Sequence, residues 1–217
     1  MAKVRYILWG MVALALVFAV GLYVSQKAGP VGQPAAQGQA AQPRGGVVTV
    51  EIGGPYTLTS HLGETISDTD FAGRYQFIYF GYSFCPDVCP LELQKMTAAL
   101  TALENEGVDT SPIQPIFITI DPERDTVEAL AQYVPLFHSR LIGLTGSDEA
   151  VRAVMKSFRV YGAKSGDPDA LHDGTYLMDH SSIIFLMGPD GKLVDFFGSD
   201  STAASLAGAL KTLLVAE

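Results

Sequence analysis

Two cysteines are the residues of this chain with the most specific chemistry. Cys85 and Cys89 are the only cysteines among 217 residues, and they lie four positions apart. Two sulfur atoms at this spacing can form a disulfide or bind a soft metal ion. A purely structural role is the simpler alternative, but a disulfide that closes so short a loop removes little chain entropy and adds little stability. The spacing therefore favours a redox or metal-binding pair.

The segments on either side of the cysteines predict where their sulfur atoms lie. Residues 77–80 are apolar and aromatic, which is typical of a buried strand. Pro90 suits the first position of a helix, where its missing N–H costs no hydrogen bond. Cys85 then lies on the loop at the carboxyl end of the strand, and Cys89 at or beside the N-cap. The partial positive charge of a helix N-terminus favours the thiolate form of a nearby cysteine.

His180 is the histidine with a candidate binding role, because it lies directly before an apolar segment. A lone histidine at such a position is more often a structural or surface residue, so the residue type alone leaves metal binding open. His172 lies in the Gly-, Asp- and Pro-rich segment 162–175, a predicted loop, where we expect it to be solvated. We expect His61 and His138 to lie on the surface.

Acidic and thioether side chains near the cysteines allow two interpretations. Asp87, between the cysteines, either tunes the pKa of a thiol or favours the turn, and the turn is the simpler explanation. The stretch from Asp121 to Asp125 follows an apolar strand, where Asp-Pro before a helical pattern is also a capping signal. Met96 and Met155 fit the apolar faces of helices, which favours packing over metal binding.

Hydrophobic periodicity predicts alternating strands and helices. The predicted strands are 47–52, 56–58, 75–81, 113–120, 141–144, 181–187 and 192–197, and the apolar residues that predict helices recur over 93–103, 127–137, 151–158 and 201–214. Gly107 is predicted to stop the first helix, Pro135 to bend or end the second, and Ser147 to cap the third. Strands separated by helices imply a parallel core, to which the last hairpin adds antiparallel strands. Ligands of such sheets gather at the carboxyl ends of the parallel strands, where Cys85 and Asp121 are predicted to lie.

The amino-terminal part of the chain differs in composition from the rest. Residues 6–25 carry no charge and are mostly apolar. As a helix they would span about 30 Å, the thickness of a bilayer core. This length predicts an uncleaved membrane anchor over residues 1–26, because a secretory signal has a shorter apolar core. Residues 27–46, rich in Gly, Pro, Ala and Gln, predict a flexible linker, and residues 47–217 the globular domain.

The distribution of charge predicts orientation and excludes some partners. Lys3 and Arg5 precede the apolar span, which places the N-terminus in the cytoplasm. We therefore expect a single-pass protein of the bacterial inner membrane with its domain in the periplasm. From residue 47 onward, 10 basic residues face 23 acidic ones, a net charge of −13. This charge argues against nucleic-acid binding and against electrostatic docking on anionic lipid.

Three motifs, in this order, resemble the SCO/SenC family. They are residues 80–90 (FGYSFCPDVCP), residues 117–125 (FITIDPERD) and residues 176–181 (YLMDHS). The resemblance runs from about residue 50 to residue 212 and includes the amino-terminal anchor. It implies an α/β, thioredoxin-like three-layer fold with a mixed central sheet, preceded by a single transmembrane helix.

The same resemblance implies a function. Members of the family deliver copper to the binuclear copper centre of cytochrome c oxidase, which implies Cys85, Cys89 and His180 as copper ligands, with Asp121 or Asp125 in support. Thiolates select Cu(I), and imidazole also tolerates Cu(II). Zinc takes the same ligands, usually with a fourth, but the Irving–Williams order favours copper. The expected partners are the copper-bearing oxidase subunit and other periplasmic copper carriers or thiol reductants.

A thiol–disulfide oxidoreductase is the main alternative, so whether the protein is an enzyme stays open. Such an enzyme would use Cys85 and Cys89 as a redox-active pair that keeps oxidase-subunit cysteines reduced. However, the C-x-x-x-C spacing differs from the C-x-x-C of thioredoxins, and disulfide exchange does not need His180. Both observations favour a metallochaperone. A peroxidase is a third alternative, and no signature in the sequence supports it.

Overall fold

The computed structural model describes residues 51–166 and 176–215. Its strands are β1 (Thr57–Ser60), β2 (Thr65–Ser67), β3 (Tyr75–Gly81), β4 (Ile113–Thr119), β5 (Ile142–Thr145), β6 (Gly162–Ser165), β7 (Leu177–His180), β8 (Ile183–Met187) and β9 (Leu193–Gly198). The α-helices of the described residues are α1 (Val88–Asn105), α2 (Val127–Tyr133), α3 (Asp148–Ser157) and α4 (Ala203–Val215), and 3₁₀ turns lie at Asp68–Phe71 and Val134–Leu136.

The main sheet of the described residues has seven strands in the order β2-β1-β5-β4-β3-β8-β9. β3 pairs in parallel with β4, and β4 with β5, whereas β8 runs antiparallel to β3 and β9 antiparallel to β8. β3 has a neighbour on both sides and all seven of its residues are buried, which explains its apolar sequence. The mixed sheet confirms the predicted α/β, thioredoxin-like fold.

β6 and β7 form a separate two-stranded antiparallel sheet, in which Gly162 pairs with His180. The prediction of a loop over all of residues 162–175 is therefore wrong for Gly162–Ser165. These four residues have little β-forming character, and their extended conformation comes from pairing with β7. Glycine at position 162 permits a close approach, since a Cβ there would lie 2.6 Å from the methyl carbon of Met155.

The chain enters the described region outside any strand. The first two described residues are not in a strand, so the predicted strand over residues 47–52 is wrong for them, and its other residues lie outside the described ranges. Gly53 donates its N–H to the carbonyl oxygen of Ser157 (3.0 Å), the last residue of α3. This hydrogen bond holds the incoming chain against the end of a helix.

Helix α1 begins two residues earlier than the sequence predicts. Its first residue is Val88 and its N-cap is Asp87, so the prediction that Pro90 is the first helical residue is wrong. Pro90 is the third residue, where an N–H still has no intrahelical partner, so proline again costs no hydrogen bond. At the other end Gly107, with φ of +77°, follows the helix and confirms the predicted stop.

Other predicted boundaries are confirmed. Pro135 lies in the 3₁₀ turn that follows α2. Ser147 caps α3, because its hydroxyl accepts a hydrogen bond from the N–H of Ala150 (3.2 Å). A tight turn closed by the N–H of Gly188 and the carbonyl oxygen of Lys192 (2.7 Å) joins β8 to β9, as the predicted hairpin requires.

The membrane-related predictions concern a part of the chain that the structure does not describe. No helix within residues 51–166 and 176–215 has the length and apolar composition needed to cross a bilayer. The predicted anchor over residues 1–26 and the predicted linker over residues 27–46 lie outside the described residues.

Candidate metal centre

The cysteine loop, residues 82–87, joins the carboxyl end of β3 to the start of α1. Cys85 is half-buried in this loop, and Cys89 is fully buried as the second residue of α1. Cys89 donates its N–H to the Sγ atom of Cys85 (3.4 Å). Gly81 makes room for the buried sulfur, because a Cβ at this position would lie 3.0 Å from Cys89 Sγ. Both sulfur atoms thus belong to the connection that follows a central parallel strand.

His180 reaches the same place from a different element, the histidine hairpin, which consists of β6 and β7. Its Nε2 atom lies 3.3 Å from Cys89 Sγ, and its Nδ1 atom lies 3.0 Å from the carbonyl oxygen of Ser181. Because a carbonyl oxygen only accepts, Nδ1 carries the proton and Nε2 keeps its lone pair. The Cys89 thiol therefore donates its proton to Nε2, and this lone pair is the one that a metal ion would use.

The structure brings together the three predicted ligand residues. One sulfur or nitrogen atom from each of Cys85, Cys89 and His180 lies within 4.8 Å of the other two. Among the described residues, no other group of three or more His, Cys, Asp or Glu side chains meets this condition. Their proximity is a finding, whereas their role as metal ligands stays a prediction.

Burial controls the protonation of the site. It raises the pKa of the Cys89 thiol to about 12 and lowers the pKa of His180, because each charged form loses hydration. At neutral pH, Cys89 is therefore a thiol and His180 a neutral imidazole. The expectation that the helix N-terminus favours a thiolate is wrong for Cys89, since desolvation outweighs the helix charge. A metal ion that binds here must displace the thiol proton.

Aromatic rings surround the imidazole. The rings of Tyr79 and Tyr82 stand edge-on to His180, with centroid distances of 6.4 and 5.8 Å. The Tyr82 hydroxyl accepts a hydrogen bond from the N–H of Met178 (3.2 Å), two residues before His180. Tyr79 belongs to β3 and Tyr82 to the cysteine loop, so both rings connect the histidine hairpin to the main sheet.

Asp125 holds the cysteine loop in place. Its carboxylate accepts hydrogen bonds from the N–H of Ser83 (3.1 Å), from the Ser83 hydroxyl and from the hydroxyl of Thr119 (2.6 Å). Burial raises the pKa of Asp125 above its usual value. The cap of α2 is instead Thr126, whose hydroxyl accepts from the N–H of Ala129 (3.3 Å). Of the two interpretations left open by the sequence, these contacts favour support of the loop.

Reasoning from the sequence missed contributors whose partners lie far along the chain. Arg124 and Tyr176 belong to the family motifs, but no residue pattern indicated that Arg124 donates to the Tyr176 carbonyl oxygen (2.8 Å). The prediction that His138 lies on the surface is wrong, because this residue is buried. Its Nδ1 accepts from the N–H of Arg140 (3.2 Å), and its Nε2 lies 3.5 Å from a Glu104 oxygen.

The other candidate residues have structural environments or lie outside the described ranges. Met96 and Met155 are buried in the core, which confirms the prediction of packing. Asp87 is exposed, and its side chain makes no capping hydrogen bond at the start of α1. His61 is half-buried, and its Nδ1 accepts a hydrogen bond from the N–H of Gly143 (3.3 Å). His172 lies outside the described residues.

Comparison with known proteins gives consistent matches over this domain. A model of the SCO1/SenC family matches residues 47–215. The human protein named "Protein SCO1 homolog, mitochondrial" is 44% identical over 165 residues, which are 74% of this chain and 52% of the human protein. The chain therefore spans about half the length of this relative.

Solved structures extend the similarity to three dimensions. The structure of Arabidopsis thaliana ScoI with copper bound is 42% identical, with a TM-score of 0.67, and covers 75% of this chain and 98% of its own. The structure of Bradyrhizobium japonicum ScoI with copper bound is 37% identical, with a TM-score of 0.66, and covers 74% of this chain and 98% of its own. On these matches, the chain belongs to the SCO1/SenC family.

Proposed function

We propose that this protein is a membrane-tethered copper chaperone that binds copper through Cys85, Cys89 and His180. The observation that carries the proposal is the convergence of two sulfur atoms and one imidazole nitrogen, all within 4.8 Å of one another, from the connection that follows β3 and from the end of β7. Thiolates select Cu(I), and imidazole tolerates Cu(II), so this donor set suits copper in either oxidation state. The copper in both solved relatives supports the same choice.

Each residue of the site has a distinct part in binding and release of this cargo. Cys89 is fully buried, and His180 Nε2 already points its lone pair at the Cys89 sulfur. Cys85 and His180 are both half-buried, so we place the open side of the site, from which a partner approaches, at these two residues. An open side suits a protein that transfers a metal ion, because the recipient can approach the ion before the ligands of this protein release it. A structural zinc site would usually add a fourth protein ligand.

The recipient and the location complete the proposal. The recipient is the copper-bearing subunit of cytochrome c oxidase, as the family resemblance implies. Residues 1–26 anchor the chain in the bacterial inner membrane, residues 27–46 act as a flexible linker, and residues 47–217 form the copper-binding domain in the periplasm. The uncharged span at residues 6–25 and the preceding Lys3 and Arg5 support this arrangement.

A copper titration tests the site. The full-length, reduced protein is titrated anaerobically with Cu(I) against a competing chelator, beside His180→Ala, Cys85→Ser and the control His61→Gln. We expect one copper ion per chain and an affinity loss in His180→Ala and Cys85→Ser greater than the roughly 10–100-fold typical of losing a supporting contact. His61→Gln should bind like the wild type. Unchanged affinity in His180→Ala would exclude the three-ligand site.

One observation favours a second candidate function, a thiol–disulfide oxidoreductase. Cys85 is the more exposed of the two cysteines, and its sulfur accepts a hydrogen bond from the N–H of Cys89 in the first turn of α1. Exposure and an N–H donor are features of an attacking thiolate. The two functions differ in their need for His180, since disulfide exchange requires only the two sulfurs. Reductase activity that survives His180→Ala at the wild-type rate, without tight copper binding by the wild type, would favour the enzyme.

A further inference from the structure

The proposed site depends on how two separately built parts meet. The cysteines follow β3 of the main sheet, whereas His180 ends β7 of the two-stranded sheet. Among the strands of residues 51–166 and 176–215, β7 pairs with β6 alone. Contacts other than strand pairing therefore position the amino-terminal end of β7 relative to the main sheet. The same contacts set the distance between His180 and the sulfur atoms.

Arg124 lies where these two parts meet. Its Nη1 donates to the Tyr176 carbonyl oxygen (2.8 Å), directly before β7, and its Nε donates to Asp121 Oδ2 (2.6 Å). Its guanidinium carbon lies 3.7 Å from the ring centroid of Tyr176 and 4.9 Å from that of Phe84 in the cysteine loop. One side chain thus contacts both the loop that carries Cys85 and the residue directly before β7.

Further hydrogen bonds near Arg124 connect the same two parts of the site. Tyr176 is bonded at a second point, because its hydroxyl donates to Asp121 Oδ1 (2.8 Å). Asp121 is buried and Arg124 is half-buried, with side chains 2% and 12% exposed, so water competes little for these hydrogen bonds. The next residue, Asp125, bonds to Ser83 in the cysteine loop. The segment 121–125 is therefore fixed to both parts of the site.

We propose that Arg124 is a positioning residue that sets the distance between His180 and the cysteine pair. This inference rests on the proposed copper site. The planar guanidinium can donate to Tyr176 and Asp121 at once while it lies over the rings of Tyr176 and Phe84. Lysine carries the same charge, but its ammonium group is not planar. It therefore cannot make both hydrogen bonds in this geometry or lie flat over the rings. Without these two hydrogen bonds, His180 would be held less firmly, whereas the cysteine loop would keep its hydrogen bond from the Ser83 N–H to Asp125.

The experiment is a double-mutant cycle on the full-length reduced protein. The variants are Arg124→Lys, His180→Ala and the double variant, with Arg152→Lys as a matched control on an ion pair whose side chains are 67% and 64% exposed. Cu(I) affinity is measured by chelator competition, and nitrogen hyperfine splitting is measured by EPR on the Cu(II) form. Arg124→Lys should weaken binding by roughly 10–100-fold and reduce the splitting from the imidazole nitrogen.

The cycle separates positioning from a general loss of structure. If Arg124 acts through His180, Arg124→Lys should cause no further loss of affinity in the His180→Ala background. Equal losses in both backgrounds, or wild-type affinity and splitting in Arg124→Lys, would overturn the inference. If Arg124→Lys does not fold, Tyr176→Phe, which removes the hydroxyl that donates to Asp121, is tested by the same criteria. Wild-type affinity in His180→Ala would overturn the proposed function itself, and this inference with it.

Discussion

The cysteine loop and the histidine hairpin contribute to one site, but they are held in different ways. The loop follows β3, which is paired on both sides, and Asp125 fixes the loop through hydrogen bonds to Ser83. The hairpin consists of two strands of four residues, and Leu177, the first residue of β7, is 50% exposed. A two-stranded sheet has little stability of its own. The hairpin therefore depends on side-chain contacts with the rest of the domain.

This difference separates the stability of the fold from the geometry of the site. Changes near the cysteine loop disturb buried pairing and packing, so they should lower the free energy of unfolding of the whole domain. Changes at the hairpin should open it locally while the main sheet stays folded. The following variants test this distinction in order of decreasing expected effect.

Removal of the Asp125 carboxylate should have the largest effect. Asp125→Ala leaves the Ser83 N–H and the hydroxyls of Ser83 and Thr119 without their acceptor in a buried place. We expect the free energy of unfolding to fall by about 3 kcal/mol, because each unsatisfied buried donor costs about 1–3 kcal/mol. Urea denaturation of the copper-free reduced protein measures this loss. Asp148→Ala, at a side chain that is 64% exposed, should cost less than about 1 kcal/mol.

A methyl group at Gly81 should have the next largest effect. The added Cβ would lie 2.9 Å from Tyr79 Cε1, 3.0 Å from Cys89 Sγ and 3.1 Å from Phe117 Cε2. Overpacking of this kind costs about 1–3 kcal/mol, and here it also displaces a proposed ligand. Gly81→Ala should therefore lose stability and copper affinity together, by urea denaturation and chelator competition.

Gly208 in α4 provides the control for Gly81. An added Cβ there meets no atom of the described residues within 4 Å. Gly208→Ala should raise the free energy of unfolding by up to about 1 kcal/mol, since alanine favours helix more than glycine does. Equal effects of the two substitutions would contradict the close packing around Cys89.

The same contrast explains which parts of the fold could be predicted from the sequence. β3 and β4 are buried along their whole length, so their burial appears as continuous apolar runs. β6 has the sequence Gly-Ala-Lys-Ser and is extended because it pairs with β7, which no local pattern reveals. β2, with three residues, is likewise defined by its partner β1. Local patterns therefore predict the strands that are buried, and they miss those that depend on a partner.

The site shows a similar division. The spacing of Cys85 and Cys89 is local, so chemistry at this pair was predictable, whereas His180 required the family resemblance. The supporting contacts were not predictable, because they join distant positions: Ser83 and Asp125 lie 42 residues apart, and Arg124 and Tyr176 lie 52 apart. The protonation of Cys89 was mispredicted for the same reason, since its burial depends on elements that fold around it.

Removal of one contact between the two regions should have a smaller and more local effect. The Tyr82 hydroxyl accepts the N–H of Met178 (3.2 Å), so Tyr82→Phe removes one hydrogen bond to the hairpin. We expect a loss of about 1 kcal/mol, which speeds hydrogen exchange of the Met178 amide about fivefold. In Tyr82→Phe, the amides of β3 should keep their wild-type exchange rates. The control is Tyr161→Phe, at a residue that is 60% exposed, and in it the Met178 amide should exchange at the wild-type rate. Equal acceleration in β3 and β7 would show that the two regions open together.

The two regions should also respond to pH with opposite signs, and we expect this effect to be the smallest. Burial lowers the pKa of His180, so the stability it contributes is complete above the ordinary histidine pKa of about 6.5 and is lost as the pH falls below it. Burial raises the pKa of Asp125, so its contribution is complete below the ordinary carboxyl pKa of about 4 and is lost as the pH rises through the raised value. Urea denaturation of the copper-free protein between pH 4 and 8 tests both signs. As the pH falls, the wild type should lose stability relative to His180→Asn. Over the same fall in pH, the wild type should gain stability relative to Asp125→Asn. Parallel curves for wild type and His180→Asn would mean that the imidazole is hydrated in the folded protein, and that the hairpin does not bury it against Cys89.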